Sequence, residues 1–287
     1  MRAARTPVRR TLFGPTPAIK NHTQLARHMP RHWYGVPERL DGCAKLRKNL
    51  RDRILLGEYR IKQFSKRTNK WVVIGMDEDF WQTRWRQNQI GFHEGRANSL
   101  LLRFFDRLGL RANDRVLVPL CGKSFDLDWL IGQNFYVVGV EFNKEAVEEV
   151  FARLNLVPDV EVFGSLLRYR AKAIDIFVGD FFELTGSVLG TVNAVYDRAA
   201  LVALPTATRE RYARHLADLT ISAPQLLITF DYDQTLMEGP PFSVSEAEVQ
   251  NHYGAQYAVE QLASIVISGP LSQRCKGDEN TWFLAAR

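Results

Sequence analysis

The sequence predicts an α/β protein, a doubly wound, mostly parallel sheet of seven strands with helices on both faces and a helical cover before it. Three observations carry this. Short apolar runs alternate with helix-period segments from Met76 onward. The stretch Arg115 to Glu141 reads as strand, glycine turn, helix, strand. The second strand of that unit ends on a lone acid, Glu141.

The chain of 287 residues divides by charge. Residues 1–75 hold 18 Lys and Arg against 4 Asp and Glu, a net of +14, which leaves 20 against 28, a net of −8, for residues 76–287. The acidic part is long enough to bury one core as a single domain. The basic part carries scattered prolines (Pro7, Pro15, Pro17, Pro30, Pro37), and only Cys43 to Ile61 has a weak helical pattern. With Trp33, Tyr34, Phe64 and Trp71 among its arginines it reads either as a nucleic-acid-binding arm or as an organelle-targeting leader. The expected reading is plainer: a disordered, solvated extension, or a start codon assigned too far upstream. No run of 18 apolar residues occurs, and Cys43, Cys121 and Cys275 lack disulfide or zinc spacing. The expectation is a cytoplasmic monomer with reduced thiols, no metal site, no membrane and no nucleic acid among its partners.

From Met76 the character changes. Asp77, Glu78 and Asp79 suit a helix N-terminus, and Trp81 and Trp85 follow on one helical face, where they either join the core or wall a ligand site with electron-rich indole faces. Ile90 to Glu94 reads as a loop, and Asn98 to Leu108 as a helix with Leu100, Leu101, Phe104, Phe105 and Leu108 inward. A strand at Val116–Val118 then breaks at Pro119 and Gly122. Gly122-Lys123-Ser124 ends like a phosphate-binding loop, but the glycine that motif also needs falls at Leu117, and a dinucleotide fingerprint needs three glycines where only Gly122 is present. Nothing gathers amides around a pyrophosphate. An acid about 20 residues past a glycine turn suits ribose hydroxyls, so the ligand is read as an adenosine without phosphates; S-adenosylmethionine fits.

Further strands are expected at Tyr136–Val140, Ile174–Val178, Val192–Tyr196, Gln225–Phe230, Tyr257–Ile267 and Thr281–Ala285. A helix is expected at Thr208–Leu219, and a capping box of Ser245 and Glu248 opens another that runs to Tyr253. Ile174–Val178 delivers Asp180 to the ligand edge, either to accept from an adenine amino group or to cap the next turn.

Seven blocks in order carry a resemblance: Phe-Trp-Gln-Thr-Arg-Trp (80–85), Gly-Phe-His-Glu (91–94), Val-Pro-Leu-Cys-Gly-Lys-Ser (118–124), Val-Gly-Val-Glu (138–141), Gly-Asp-Phe-Phe (179–182), Tyr-Asp-Arg-Ala-Ala-Leu (196–201) and Gly-Pro-Pro-Phe-Ser-Val (239–244). Together they resemble the thiopurine S-methyltransferase family in its bacterial form, from about Asp79 to Arg287. The resemblance implies a Rossmann-like class I S-adenosylmethionine-dependent methyltransferase fold, with cofactor contacts at Trp85, Leu120, Glu141 and Arg198, and Phe92 against the substrate. It implies a small thiol acceptor of thiopurine kind, or a tellurium or selenium compound.

In-line attack by a thiolate on a sulfonium methyl cancels charge, so positioning and dryness do most of the work. An aromatic thiol is already substantially ionised near neutral pH, and no side chain is assigned a catalytic role. Two other readings stay open: a nucleic-acid-associated protein using the basic arm, and an adenosine-binding module without turnover.

Overall fold

The computed structural model describes residues 62–65, 70–73, 78–87 and 93–287, all inside a compact unit from Arg60 to Arg287. The weak helical pattern at Cys43–Ile61, and Phe92, lie outside the described residues. A two-stranded antiparallel hairpin, β1 (Lys62–Ser65) and β2 (Lys70–Val73), comes first, followed by helix α1 (Glu78–Arg86).

Helix α2 (Ser99–Phe104) starts where Asn98 Oδ1 accepts from the amides of Leu100 and Leu101 at 2.9 and 3.3 Å. It tightens into a 3₁₀ turn over Phe105–Leu108, so the single helix expected over 98–108 is two pieces. Strand β3 (Arg115–Val118), helix α3 (Phe125–Gly132) and strand β4 (Tyr136–Glu141) are the expected unit, and Ser124 caps α3 at Asp126. The chain continues through α4 (Lys144–Arg153), β5 (Asp159–Phe163), β6 (Leu166–Ala171) and β7 (Ile174–Val178). Next come a short helix α5 (Gly186–Leu189), β8 (Ala194–Arg198) and α6 (Thr206–Thr220). Strand β9 (Gln225–Tyr232), helix α7 (Glu246–Tyr253), and strands β10 (Tyr257–Val266) and β11 (Gly277–Ala286) complete it.

The main sheet has the order β10-β11-β9-β8-β3-β4-β7-β6-β5, nine strands where the sequence led us to expect seven. The extra pair is the β5–β6 hairpin, antiparallel to each other and laid against β7. Its residues alternate apolar with charged side chains, and Val160 and Val162 stay 51% and 73% exposed, so no buried run marks it in the sequence. The five central strands β9, β8, β3, β4 and β7 are parallel, and β11 reverses direction against β9. The chain crosses from one side of β3 to the other between β7 and β8, which opens a crevice at the carboxyl ends of the strands.

Each face of the sheet buries its own layer of helices. Leu117, Val138, Val140, Phe177, Val195 and Leu227 pack against Tyr212, Leu216, Val249 and Tyr253 of α6 and α7. Val116, Val118, Val137, Ile176, Tyr196 and Ile228 pack against Leu101, Leu127, Val147 and Phe151 of α2, α3 and α4. The capping residue Ser245 holds the amide of Glu248 at 3.3 Å, as expected. The Glu248 carboxylate, however, turns to the buried Arg209 guanidinium at 2.7 Å, which also donates to the carbonyls of Leu204 and Ser243.

One buried acid sits on the α6–α7 side. Asp197 is fully buried and accepts from Tyr212 OH at 2.7 Å and from the Leu201 amide at 3.2 Å. Burial raises its pKa from 3.8 to about 6 against the opposing pull of these donors. A raised folded pKa means that the native state holds this proton more tightly than the unfolded chain. The associated stability is therefore complete below about pH 4 and lost as pH rises through about 6, roughly 3 kcal/mol in all. Urea midpoints of wild type and Asp197→Asn, measured from pH 4 to 7, should show the wild type losing ground to the variant by about that amount as pH rises. A difference that does not vary with pH would mean that Asp197 does not titrate in this range.

Candidate active site

The β3–α3 turn packs close to the end of β4. Leu120 and Gly122 both take positive φ, 48° and 52°, and the Cys121 amide donates to Val140 O at 3.0 Å. Gly139 on β4 makes this possible, because a Cβ there would lie 2.8 Å from Cys121 Sγ. Burial, and then the neighbouring Glu141 charge, push the Cys121 thiol well up, so it stays protonated and is no nucleophile.

Glu141, 7% exposed, ends β4 with both oxygens engaged: Oε2 accepts from the Gly122 amide at 2.7 Å and Oε1 from the Asn143 amide at 2.8 Å. Burial raises its pKa, and the amides of Asn143 and Gly122 act against that. The acid expected at this strand tip therefore faces the glycine turn. Each carboxylate oxygen can accept a second hydrogen bond, so the site fits the two hydroxyls of a ribose.

Helix α1 reaches these same turns. Asn143 Nδ2 donates to Gln82 Oε1 at 3.1 Å, and Lys123 Nζ lies 5.6 Å from the centroid of the half-buried Trp85 ring while pairing with Glu149 at 2.5 Å. The cover thus touches the turns after both β3 and β4. Asp180, after β7, uses Oδ1 to hold the Phe182 amide at 2.9 Å, which is the capping arrangement weighed for it.

Arg198 closes the other half of the crevice. It pairs with Glu94, in the loop before α2, and its Nη1 lies 3.5 Å from Asp126 Oδ2. Asp126, fully buried, also accepts from the Asn98 amide at 2.7 Å and from Tyr196 OH at 3.1 Å. One carboxylate therefore ties the cap of α2, the first turn of α3 and the tip of β8 together. Beside it the His93 ring tilts against Phe125 at 5.7 Å, and burial, then Lys123 and Arg153, push its pKa down, so it is neutral at pH 7. The sequence reading assigned no role to Asp126, Gln82, Asn143 or Glu94. In sequence Asp126 is one more acid in the first turn of a helix, and only the fold shows that it is enclosed.

The two acids around Arg198 should behave differently. Asp126→Ala leaves Asn98, Tyr196 and Arg198 facing a hole and should destabilise by about 3–5 kcal/mol in chemical denaturation. Glu94, whose side chain is 41% exposed, should cost about 1 kcal/mol or less on replacement by alanine. Equal losses would show that burial of Asp126 does not govern the cluster.

A family model described as "Thiopurine S-methyltransferase (TPMT)" matches residues 76–277. A thiopurine S-methyltransferase of Xanthobacter autotrophicus is 50% identical over 210 residues, covering 73% of this chain and 99% of that protein. One of Teredinibacter turnerae is 44% identical over 210 residues, 73% of this chain and 98% of its own. Among solved structures, an S-adenosylmethionine-dependent methyltransferase of Anabaena variabilis superposes with a TM-score of 0.51 at 14% identity, over 73% of this chain and 95% of that one, a likeness of fold alone. With the family model matching well over half of the chain and relatives near half-identical along almost their whole length, the chain belongs to the thiopurine S-methyltransferase family.

Proposed function

We propose that residues 76–287 transfer the methyl group of S-adenosylmethionine to the sulfur of a small aromatic or heterocyclic thiol, with tellurium or selenium compounds as further acceptors. The observation that carries this is Glu141: a buried strand-end carboxylate braced by Gly122 and Asn143 amides beside a turn with one glycine, in a chain of this family. The ligand of such a site is an adenosine rather than a nucleotide, since the turn after β3 holds a single glycine and, among the described residues, no row of amides is gathered there for phosphates.

When bound, the cofactor supplies a methyl group activated on a sulfonium. The chain's own part is to position and to exclude water. Glu141 receives the ribose hydroxyls, the backbone at Leu120 passes along the ligand, and Trp85 offers an aromatic face to the sulfonium. Asp180 lies at the adenine edge, where the oxygen not used on Phe182 is available to the amino group. Arg198, bound to Glu94, fastens the described segment that starts at His93; Phe92, just before it in sequence, is the residue the family resemblance sets against the acceptor. A cytoplasmic setting suits the two described cysteines, Cys121 and Cys275, both free and buried.

Transfer of radiolabelled methyl groups to a panel of aromatic thiols, thiopurines, tellurite and selenite tests the reaction. Product on the thiols supports the reading; cofactor binding without transfer to any of them points to a binding module instead, and a salt-dependent shift of an RNA or DNA probe points to nucleic acid. Glu141→Ala removes an ionised acceptor from two hydroxyls and should weaken S-adenosylmethionine binding at least tenfold in titration calorimetry, in line with about 1.5–3 kcal/mol for a charged hydrogen bond. Trp85→Leu keeps apolar burial and loses the indole face. It should weaken cofactor binding more than it lowers the melting temperature of the free protein, and the opposite order would make Trp85 a core residue only.

A further inference from the structure

Glu279 is an acid of the crevice with no hydrogen bond or ion pair among the described residues. It lies near the start of β11, paired across the sheet with Phe230 of β9, while Arg198 at the tip of β8 pairs with Ile228. Cross-strand partners share a face and residues two apart return to it. Arg198, Ile228 and Glu279, with Ile265 of β10, therefore look out on the same side of the sheet, the side of Tyr196 and Asp126. Glu279 is half-buried, and it is within Coulombic reach of Arg198 and Glu94. The Asp126 carboxylate is occupied by Asn98, Tyr196 and Arg198, and that of Glu94 by Arg198 and Asn98. Among the described residues, the Glu279 side chain has no hydrogen bond and no ion pair. On its flanks Asp278 and Asp231, paired with each other, belong to the opposite face, and its partner on β10 is the apolar Ile265.

A thiopurine-like acceptor presents a chemical need that a simple aromatic thiolate does not. In such a ring the sulfur is held largely as a thione, C=S, with the proton on an adjacent ring nitrogen. Methylation of that sulfur forms the S–CH₃ bond as the bond from methyl to sulfonium breaks. The C=S pair shifts onto sulfur's new bond and the ring becomes cationic. Neutrality returns only when the N–H proton leaves and its electron pair closes a C=N bond. Charge no longer cancels unless a base takes that proton.

We propose that Glu279 is this base: its carboxylate accepts the hydrogen bond of the ring N–H in the bound thione and takes the proton as the sulfur is methylated. The inference rests on the thiol-methylating reading above and adds a catalytic residue to it. Arg198, within Coulombic reach, favours the ionised carboxylate, and Glu94, held by Arg198, adds negative charge that favours proton capture. Burial, opposed by Arg198 and aided by Glu94, raises the Glu279 pKa above its ordinary range.

The test compares two acceptors, 6-mercaptopurine, a thione with ring N–H, and thiophenol, which reacts as a thiolate and has no second proton to lose. In Glu279→Gln the rate on 6-mercaptopurine should fall by about 10²–10⁴, the span of a general base, while the rate on thiophenol stays within about twofold. Binding without methyl donor gives an independent reading with opposite signs. Loss of the charged acceptor should weaken 6-mercaptopurine about tenfold, and loss of the negative charge should leave thiophenolate bound as tightly or more tightly. The wild-type rate on the thione should drop as pH falls through the Glu279 titration, and the glutamine variant should lack that limb. Glu279→Asp, with the carboxylate drawn back by one methylene, should recover part of the thione rate. Equal loss on both acceptors, or an unaltered thione rate in a folded variant, overturns the assignment of Glu279. A wild-type protein that methylates neither acceptor overturns the thiol-methylating reading and this inference with it.

Discussion

The site depends on a carboxylate held in place by backbone amides rather than by a cation. Glu141 is buried, and its two oxygens are taken by the amides of Gly122 and Asn143 at 2.7 and 2.8 Å. Burying a carboxylate costs several kcal/mol unless it is hydrogen-bonded, so the turn after β3 and the loop after β4 cannot drift apart without exposing that cost. This fixes the unusual backbone of Leu120 and Gly122, and through Asn143 and Gln82 it also fixes where α1 can lie. A ligand hydroxyl arriving at Glu141 meets an acceptor already oriented, with little left to reorganise.

The second half of the crevice is held by opposite means, a buried guanidinium among acids. Arg198 joins the β8 tip to Asp126 in α3 and to Glu94 in the loop before α2. Asp126 is inaccessible and Glu94 partly open, so the pair is graded: the inner contact sets where Arg198 stands, and the outer one can part and re-form at modest cost. That is the behaviour a loop needs if it is to admit an acceptor and then exclude water from it.

How much of this is legible in the sequence depends on whether a residue acts through its neighbours along the chain or across the fold. The β3–α3–β4 unit was readable because its apolar runs, glycine and terminal acid are all local, and the Ser245 cap because it acts three residues from itself; Ser124 and Asn98 cap just as locally but were not read as caps. Asp180 was undecided between cap and ligand contact, and the cap is a local bond that the sequence could suggest. The β5–β6 hairpin was missed because an edge with half its side chains exposed leaves no buried run to detect. Asp126 and Arg209 were missed for a different reason. Each owes its role to partners far away in sequence, Asn98 and Tyr196 for the one, Ser243 and Glu248 for the other, and no spacing records such a meeting. The domain-scale reading was helped by the change from basic to acidic character near Met76, whereas Arg198 was given by the family resemblance alone.

Strand direction explains why acids of such different kinds collect at one edge. In a parallel sheet only the ends of strands and the loops after them reach the ligand side, and here these supply Glu141, Asp180 and Arg198. Strand β11 runs the other way, so its beginning, not its end, lies at that edge. Gly277 lets it start in close contact with β9, where a Cβ would collide with Asp231 O, and two residues later Glu279 comes within Coulombic reach of Arg198, its carboxylate without a partner among the described residues. Alternation on β8 keeps this group apart from the other buried acid of the same strand: Arg198 and Tyr196 face the crevice side, while Asp197 between them turns to Tyr212 in the opposite layer. One strand therefore serves two polar networks, one on each face of the sheet.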